Sequence, residues 1–306
     1  ALTRFNEKNL KGWDWWWDWI EMSIRLADTS DKQNRIVETL DAIKTDGDEW
    51  SARHDAQTAQ KYKLEIMSKQ GSPKEQRKFM YDNVGNPDFR KKLLQMAWDE
   101  ANYDEVLRLA KEGVTHDTEW VGLVSEWHKW EYQVYCHIGD KDNTLRLARH
   151  FFFNGGRWGD REFSIENMYL KIKTLVPLSQ WSDYAETLIS ESVSKRDNGR
   201  LLFIYTQEKM WERFMEYLRK NHSAYNIDDS PKEVKDLYRN EIIRLYSTSV
   251  RKFFQHASDR NSYREGIVLL RNLIKYGGKT EADKIIIEQK SRTPCRPALI
   301  DELSKL

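Results

Sequence analysis

One structural idea is written twice in this chain. Asn102-Tyr103-Asp104-Glu105-Val106-Leu107-Arg108-Leu109-Ala110 returns 38 residues later as Asp140-Lys141-Asp142-Asn143-Thr144-Leu145-Arg146-Leu147-Ala148. In each copy a longer amphipathic segment comes first, and a glycine or aromatic turn follows. A helix–turn–helix period of this size marks an α-solenoid, because a unit with one apolar face cannot bury it alone and must stack on a neighbour. The expected fold is all-α: an α-α superhelix, a TPR-like solenoid of antiparallel helix pairs stacked right-handed, over residues 71–306. An aromatic N-terminal helical cap is expected over residues 1–70. Leu107 and Leu147 are expected core positions of the paired helices.

Composition fits a high-surface stack better than one globule. Hydrophobic residues make up 39% of the 306, and charged residues make up 32% yet cancel to +1. The first 60 residues carry 8 Lys/Arg against 12 Asp/Glu, leaving +5 over the other 246. No basic stripe emerges, which argues against direct nucleic-acid binding. Two cysteines, Cys136 and Cys295, are too few for a disulfide framework, so a reducing cytoplasm is expected. No apolar run reaches the length of a membrane helix and no signal-peptide core is present. The sequence opens Ala1-Leu2-Thr3 without a methionine, as a processed chain or a fragment of a longer one does.

Helical periodicity runs through most of the sequence. Between Leu10 and Leu26, Leu10, Trp13, Trp17, Ile20 and Ile24 form one apolar face, and Trp15, Trp19, Met22 and Leu26 form a second. A helix apolar on two faces must be covered on both. Two neighbours can do this; alternatively Trp15 and Trp19 meet a missing upstream segment or a second copy. Ser72-Pro73-Lys74-Glu75 reads as a capping box, and the same tetrapeptide recurs at Ser230-Pro231-Lys232-Glu233, predicting a second well-specified start for one long helix to His256. Phe89, Leu93, Leu94, Ala97 and Trp98 share one face of the helix opened by Asn86-Pro87. No period-2 alternation argues for a sheet.

Two stretches resemble a known family. Phe89-Arg90-Lys91-Lys92-Leu93-Leu94, with Tyr103 to Gly113, is similar to the helical region of bacterial SWIM-type zinc-finger proteins. So is the end of the chain: Tyr263, Gly277-Gly278 followed by Glu281-Ala282-Asp283, then Arg296-Pro297-Ala298-Leu299-Ile300-Asp301-Glu302-Leu303. The likeness runs loosely from Gln70 to Leu306, and the Arg-Pro-Ala-Leu ending is its most telling part. Members of that family carry a Cys-x-Cys … Cys-x-His zinc module upstream, taken to bind DNA or protein. This chain has no such arrangement, so any zinc or DNA function the resemblance implies belongs to a segment outside this sequence.

Catalytic and cofactor motifs are wanting. Lys275-Tyr276-Gly277-Gly278-Lys279-Thr280 ends like a phosphate-binding loop, but its first glycine position is Leu273 and a helix precedes it, so a helix C-cap is expected. Asn154 to Asp160 is glycine-rich and reads as a turn between repeats, with Arg157 and Trp158 as possible ligand contacts. His116, His128, His137, His150 and Cys136 crowd one region without ligand spacing, so no metal or other cofactor is expected. On Thr118–Ile138, Trp120, Leu123, Val124, Trp127, Val134 and Ile138 make a core stripe, while Val121, Ser125, His128, Tyr132 and Tyr135 make a second. Rings with polar tips suit both a helix–helix contact and a peptide groove. The function expected is therefore a non-enzymatic scaffold for a protein or peptide partner, with His128, Tyr132, Tyr135, Arg157 and Trp158 as the binding residues. The alternative is a helical hydrolase or transferase using His128 with a nearby carboxylate.

Overall fold

The computed structural model describes residues 1–5, 16–43, 49–70, 72–155 and 160–306. Among them there is no strand, and helices pack mainly on their chain neighbours, as the all-α, solenoid-like expectation requires. The chain divides into two compact units, Ala1–Leu175 and Val176–Leu306. The first holds α1 (Leu2–Phe5), α2 (Asp18–Leu26), α3 (Ser30–Asp41), α4 (Glu49–Gln70), α5 (Pro73–Asp82), α6 (Pro87–Asp99), α7 (Tyr103–His116), α8 (Val121–Ile138), α9 (Lys141–Asn154) and α10 (Ile165–Leu175). The second holds α11 (Trp181–Ser194), α12 (Asn198–Gln207), α13 (Trp211–Lys220), α14 (Ala224–Asp228), α15 (Lys232–Leu237), α16 (Arg239–His256), α17 (Arg260–Lys275), α18 (Lys279–Lys290) and α19 (Pro297–Leu303). The expected boundary at residue 70 falls inside the first unit. Leu64 of α4 shares a core with Met80, Phe89 and Leu93, so burial continues across that position.

The repeat is a repeat of burial as well as of letters. Val106, Leu109 and Ala110 are buried in α7; Thr144, Leu147 and Ala148 are buried at the matching positions of α9. Leu107 and its counterpart Leu145 are only half-buried. The buried leucine pair is thus Leu109 and Leu147, and Leu107 is corrected to a flanking position. Both helices start alike, with Asn102 accepting from the Glu105 amide and Asp140 from the Asn143 amide.

Helix ends share one device. At Ala101, Gly139, Arg196, Lys209 and Gly277 the backbone turns left-handed (φ from 54° to 94°). In each case the next amide closes back onto a carbonyl five residues earlier: Asn102 on Ala97, Asp140 on Tyr135, Asp197 on Ser192, Met210 on Tyr205 and Gly278 on Leu273. These bonds satisfy carbonyls that the helix leaves unpaired and send the chain straight into the next helix. The glycine pair at 277–278 is such a helix end, not a phosphate loop.

The two Ser-Pro-Lys-Glu starts fold differently. Ser72 and Glu75 form both halves of a capping box. Ser230 is buried and its hydroxyl donates to the Asn226 carbonyl at 2.8 Å, so α15 begins without a side-chain cap. The expected long helix also breaks at Tyr238 (φ −112°, ψ 30°), whose hydroxyl donates to Glu212 at 2.8 Å. The Arg-Pro-Ala-Leu ending has a clear physical role. Arg296 donates to the Phe254 and Ala257 carbonyls at 3.0 and 3.2 Å, capping α16; Pro297 takes the first helical position of α19; Leu299 and Leu303 enter the core.

Candidate functional site

The aromatic stripe of α8 is built into the first unit. Tyr132 and Tyr135 are buried. Tyr132 meets Phe151 and Phe163 edge-on, with centroids 6.0 and 5.4 Å away, and Lys111 of α7 lies 5.8 Å over the Tyr135 ring. Burial pushes the Tyr132 hydroxyl well up from its ordinary pKa, helped by neighbouring Cys136. His128 keeps 14% of its side chain exposed; its Nδ1 lies 3.0 Å from Glu131, and its ring stands 4.7 Å from that of His150. Helix packing rather than an open groove therefore accounts for this face. Arg157, Trp158 and Trp15 lie outside the described residues. Trp19 is half-buried with its Nε1 unpartnered among them, while Met22 and Leu26 on the same face are 47% and 64% exposed.

Two cavities gather side chains that sequence reading had not joined. In the first unit, Arg53, Gln57 and Gln60 of α4 face Asn83, Gly85, Asn86 and His116 across about 440 Å³. Its amides are organised in a relay. Asn86 donates to Gln60 at 3.0 Å, Gln60 to Asn83 at 3.0 Å, and Asn83 to the Phe79 carbonyl at 2.9 Å. Against this wall sits Asp117, 1% exposed. Its Oδ1 receives Arg53 at 2.7 Å and lies 2.9 Å from His116 Nδ1, and its Oδ2 receives the Trp127 indole at 2.9 Å. Burial raises the Asp117 carboxyl, but the His116, Arg53 and Trp127 hydrogen bonds outweigh it and hold the group below the ordinary carboxylate range. An ionised acceptor places the proton on His116 Nδ1 and leaves Nε2 facing the cavity side, where Gly85 stands.

In the second unit a cavity of about 370 Å³ opens between α14, α16 and α17. Ala224, Phe253, Ala257 and Leu269 supply its apolar surface; His222, Tyr225, Lys252, His256 and Glu265 stand around it. Asp228 locks these helices together. Its carboxylate accepts Tyr246 and Tyr276 hydroxyls at 2.9 and 2.5 Å and the Asn272 amide at 3.1 Å. Burial first, and the Asp228 carboxylate after it, raise both tyrosines. The cavity's serines are tied to backbone: Ser249 donates to the Leu245 carbonyl at 3.0 Å, Ser262 donates to the Asp259 carbonyl at 2.8 Å, and Ser223 accepts the Asn226 amide at 3.0 Å. Neither site had a strong sequence signal. Asp117 follows the histidine that ends α7, and Asp228 precedes the second Ser-Pro-Lys-Glu start, so only the packed environment gives them weight.

No protein-family model matches the chain, and no curated protein matches it in sequence. Among the described residues no group of histidine, cysteine and carboxylate side chains is placed to hold a metal ion, and no helix is long and apolar enough to cross a membrane.

Proposed function

We propose that the protein is a non-enzymatic helical-repeat scaffold that binds a protein or peptide partner, and that it does so through the second unit's cavity. The observation carrying this is the cavity's make-up: an apolar interior with polar groups around it, whose three serines are each hydrogen-bonded to backbone and, among the described residues, none to a histidine or carboxylate base. Such a surface holds an anchor side chain but offers no primed nucleophile. A TPR-like superhelix in the cytoplasm of a bacterium, related to the helical region of SWIM-type zinc-finger proteins, fits this reading. Neither a cofactor nor direct nucleic-acid contact belongs to it.

The test is photo-crosslinking of the full chain with a benzophenone side chain placed at Tyr225, which is 51% exposed, or at Leu178, which is 89% exposed and lines no part of the cavity. A discrete adduct from position 225 alone, competed away by unlabelled protein, is expected. Equal adducts from both positions would remove the cavity from the proposal.

A second reading, a hydrolase or transferase using a histidine held by a carboxylate, has its best support at His116 rather than His128. His116 lines a cavity and pairs with a buried, ionised aspartate. Hydrolysis of p-nitrophenyl acetate decides it. A loss of about tenfold or more in rate for His116→Ala supports general-base chemistry; an unchanged rate ends it.

A further inference from the structure

The cavity between α14, α16 and α17 has a volume and an arrangement of charge that narrow its occupant. At about 370 Å³ it exceeds twice the roughly 150 Å³ apolar void that accepts one benzene ring, so it seats about two branched or aromatic side chains. Ala224, Ala257 and Leu269 are buried and give it an apolar floor, with Phe253 half-buried beside them.

The polar groups at the cavity are unequally committed. Glu265 already accepts the Tyr225 hydroxyl. Lys252 is exposed and has no hydrogen bond or ion pair among the described residues. His222 Nδ1 lies 3.3 Å from the Arg219 carbonyl, which can only accept, so that nitrogen carries the proton and donates. The negative end of the α16 dipole is occupied as well: Arg292 and Arg296 both donate to the Phe254 carbonyl, and Arg296 donates to Ala257. An incoming carboxylate finds a free ammonium and a capped helix end. An incoming ammonium finds only a carboxylate that is already bonded.

We infer that this cavity takes a short acidic peptide segment, seating apolar side chains against Phe253 and Leu269 and setting a carboxylate against Lys252. The inference rests on the scaffold reading and gives it a partner chemistry. An apolar anchor supplies the affinity, and the lysine selects among anchors by charge, as complementary potentials do at other interfaces.

Fluorescence anisotropy on the full chain tests it with three fluorescein-labelled peptides of one frame. The first is Ser-Asp-Leu-Glu-Phe-Asp-Ser; the second replaces its acids by Asn and Gln, and the third by Lys. The acidic peptide is expected to bind about tenfold or more tighter than either counterpart and to weaken with salt. Lys252→Glu, a change at an exposed position, should invert the order of the acidic and lysine peptides. Ser249→Leu, which adds volume on the α16 side, should weaken the acidic peptide while leaving helicity unchanged. Equal binding of acidic and uncharged peptides, preference for the lysine peptide, or no binding by any of the three overturns the inference. If the Tyr225 crosslink persists in that case, the scaffold reading stands and only the acidic occupant falls. Loss of that crosslink sinks the scaffold reading itself.

Discussion

Asp117 receives an arginine and an indole and pairs with a histidine while only 1% exposed, which makes it a heavily committed carboxylate behind the first unit's cavity. Asp117→Ala strands Trp127 Nε1 and removes the partner of Arg53. A loss on the order of 3 kcal/mol in unfolding free energy is expected, since orphaned buried donors and broken ion pairs are both costly. The pH dependence has a definite sign. The folded-state pKa lies below the unfolded value, so the stabilisation is complete above the unfolded pKa of about 4 and fades as pH falls through the folded one. Thermal midpoints of the native chain should therefore drop below about pH 4, and Asp117→Asn should show a flatter acid limb. An identical slope in the variant would remove Asp117 from that role. None of this was legible in the sequence. A lone Asp after a His carries no pattern, and its two partners besides that His lie 64 residues upstream and 10 downstream.

At the scale of elements the repeat was legible and its register was not. The motif at 102–110 and 140–148 gave the right helices, yet within each copy two leucines alternate and only packing says which one enters the core. Leu109→Ala and Leu147→Ala are expected to cost about 2–5 kcal/mol each, the range for a fully buried leucine. Leu107→Ala and Leu145→Ala, at half-buried positions, should cost clearly less; chemical denaturation of the four variants checks the ranking. Helix ends show a similar divide. Glycine announced two of the five left-handed turns, but Ala101, Arg196 and Lys209 hold the same conformation without that letter. Lys209 is exposed, so Lys209→Gly removes the steric cost of a left-handed residue with little loss of packing. A gain of about 1 kcal/mol, read as a raised Tm, is expected. The Ser-Pro-Lys-Glu pair teaches the converse: identical letters cap α5 at Ser72 but not α15, because burial turns Ser230 toward the Asn226 carbonyl.

At the scale of the whole molecule, each unit carries its own core. Phe5, Ile20, Ile36 and Ile66 gather one cluster in the first unit, and Leu64, Leu93, Leu109 and Trp127 another. Phe214, Ile242, Leu270 and Leu299 gather one in the second. That division was invisible to periodicity, which reads helices and not the apolar surface they share. Tryptophan placement makes it measurable. Of the 13 tryptophans only Trp181 and Trp211 follow residue 175, so indole fluorescence reports mainly the first unit while far-UV circular dichroism reports both. Leu270 is fully buried in the second unit, and Leu270→Ala should destabilise that core by about 2–5 kcal/mol. With separate cores, the dichroism transition should broaden and begin at lower denaturant while the fluorescence midpoint stays where it is in the native chain. Fluorescence moving together with dichroism would mean that the two units unfold as one cooperative body, since coincidence of unlike probes is the mark of a single transition.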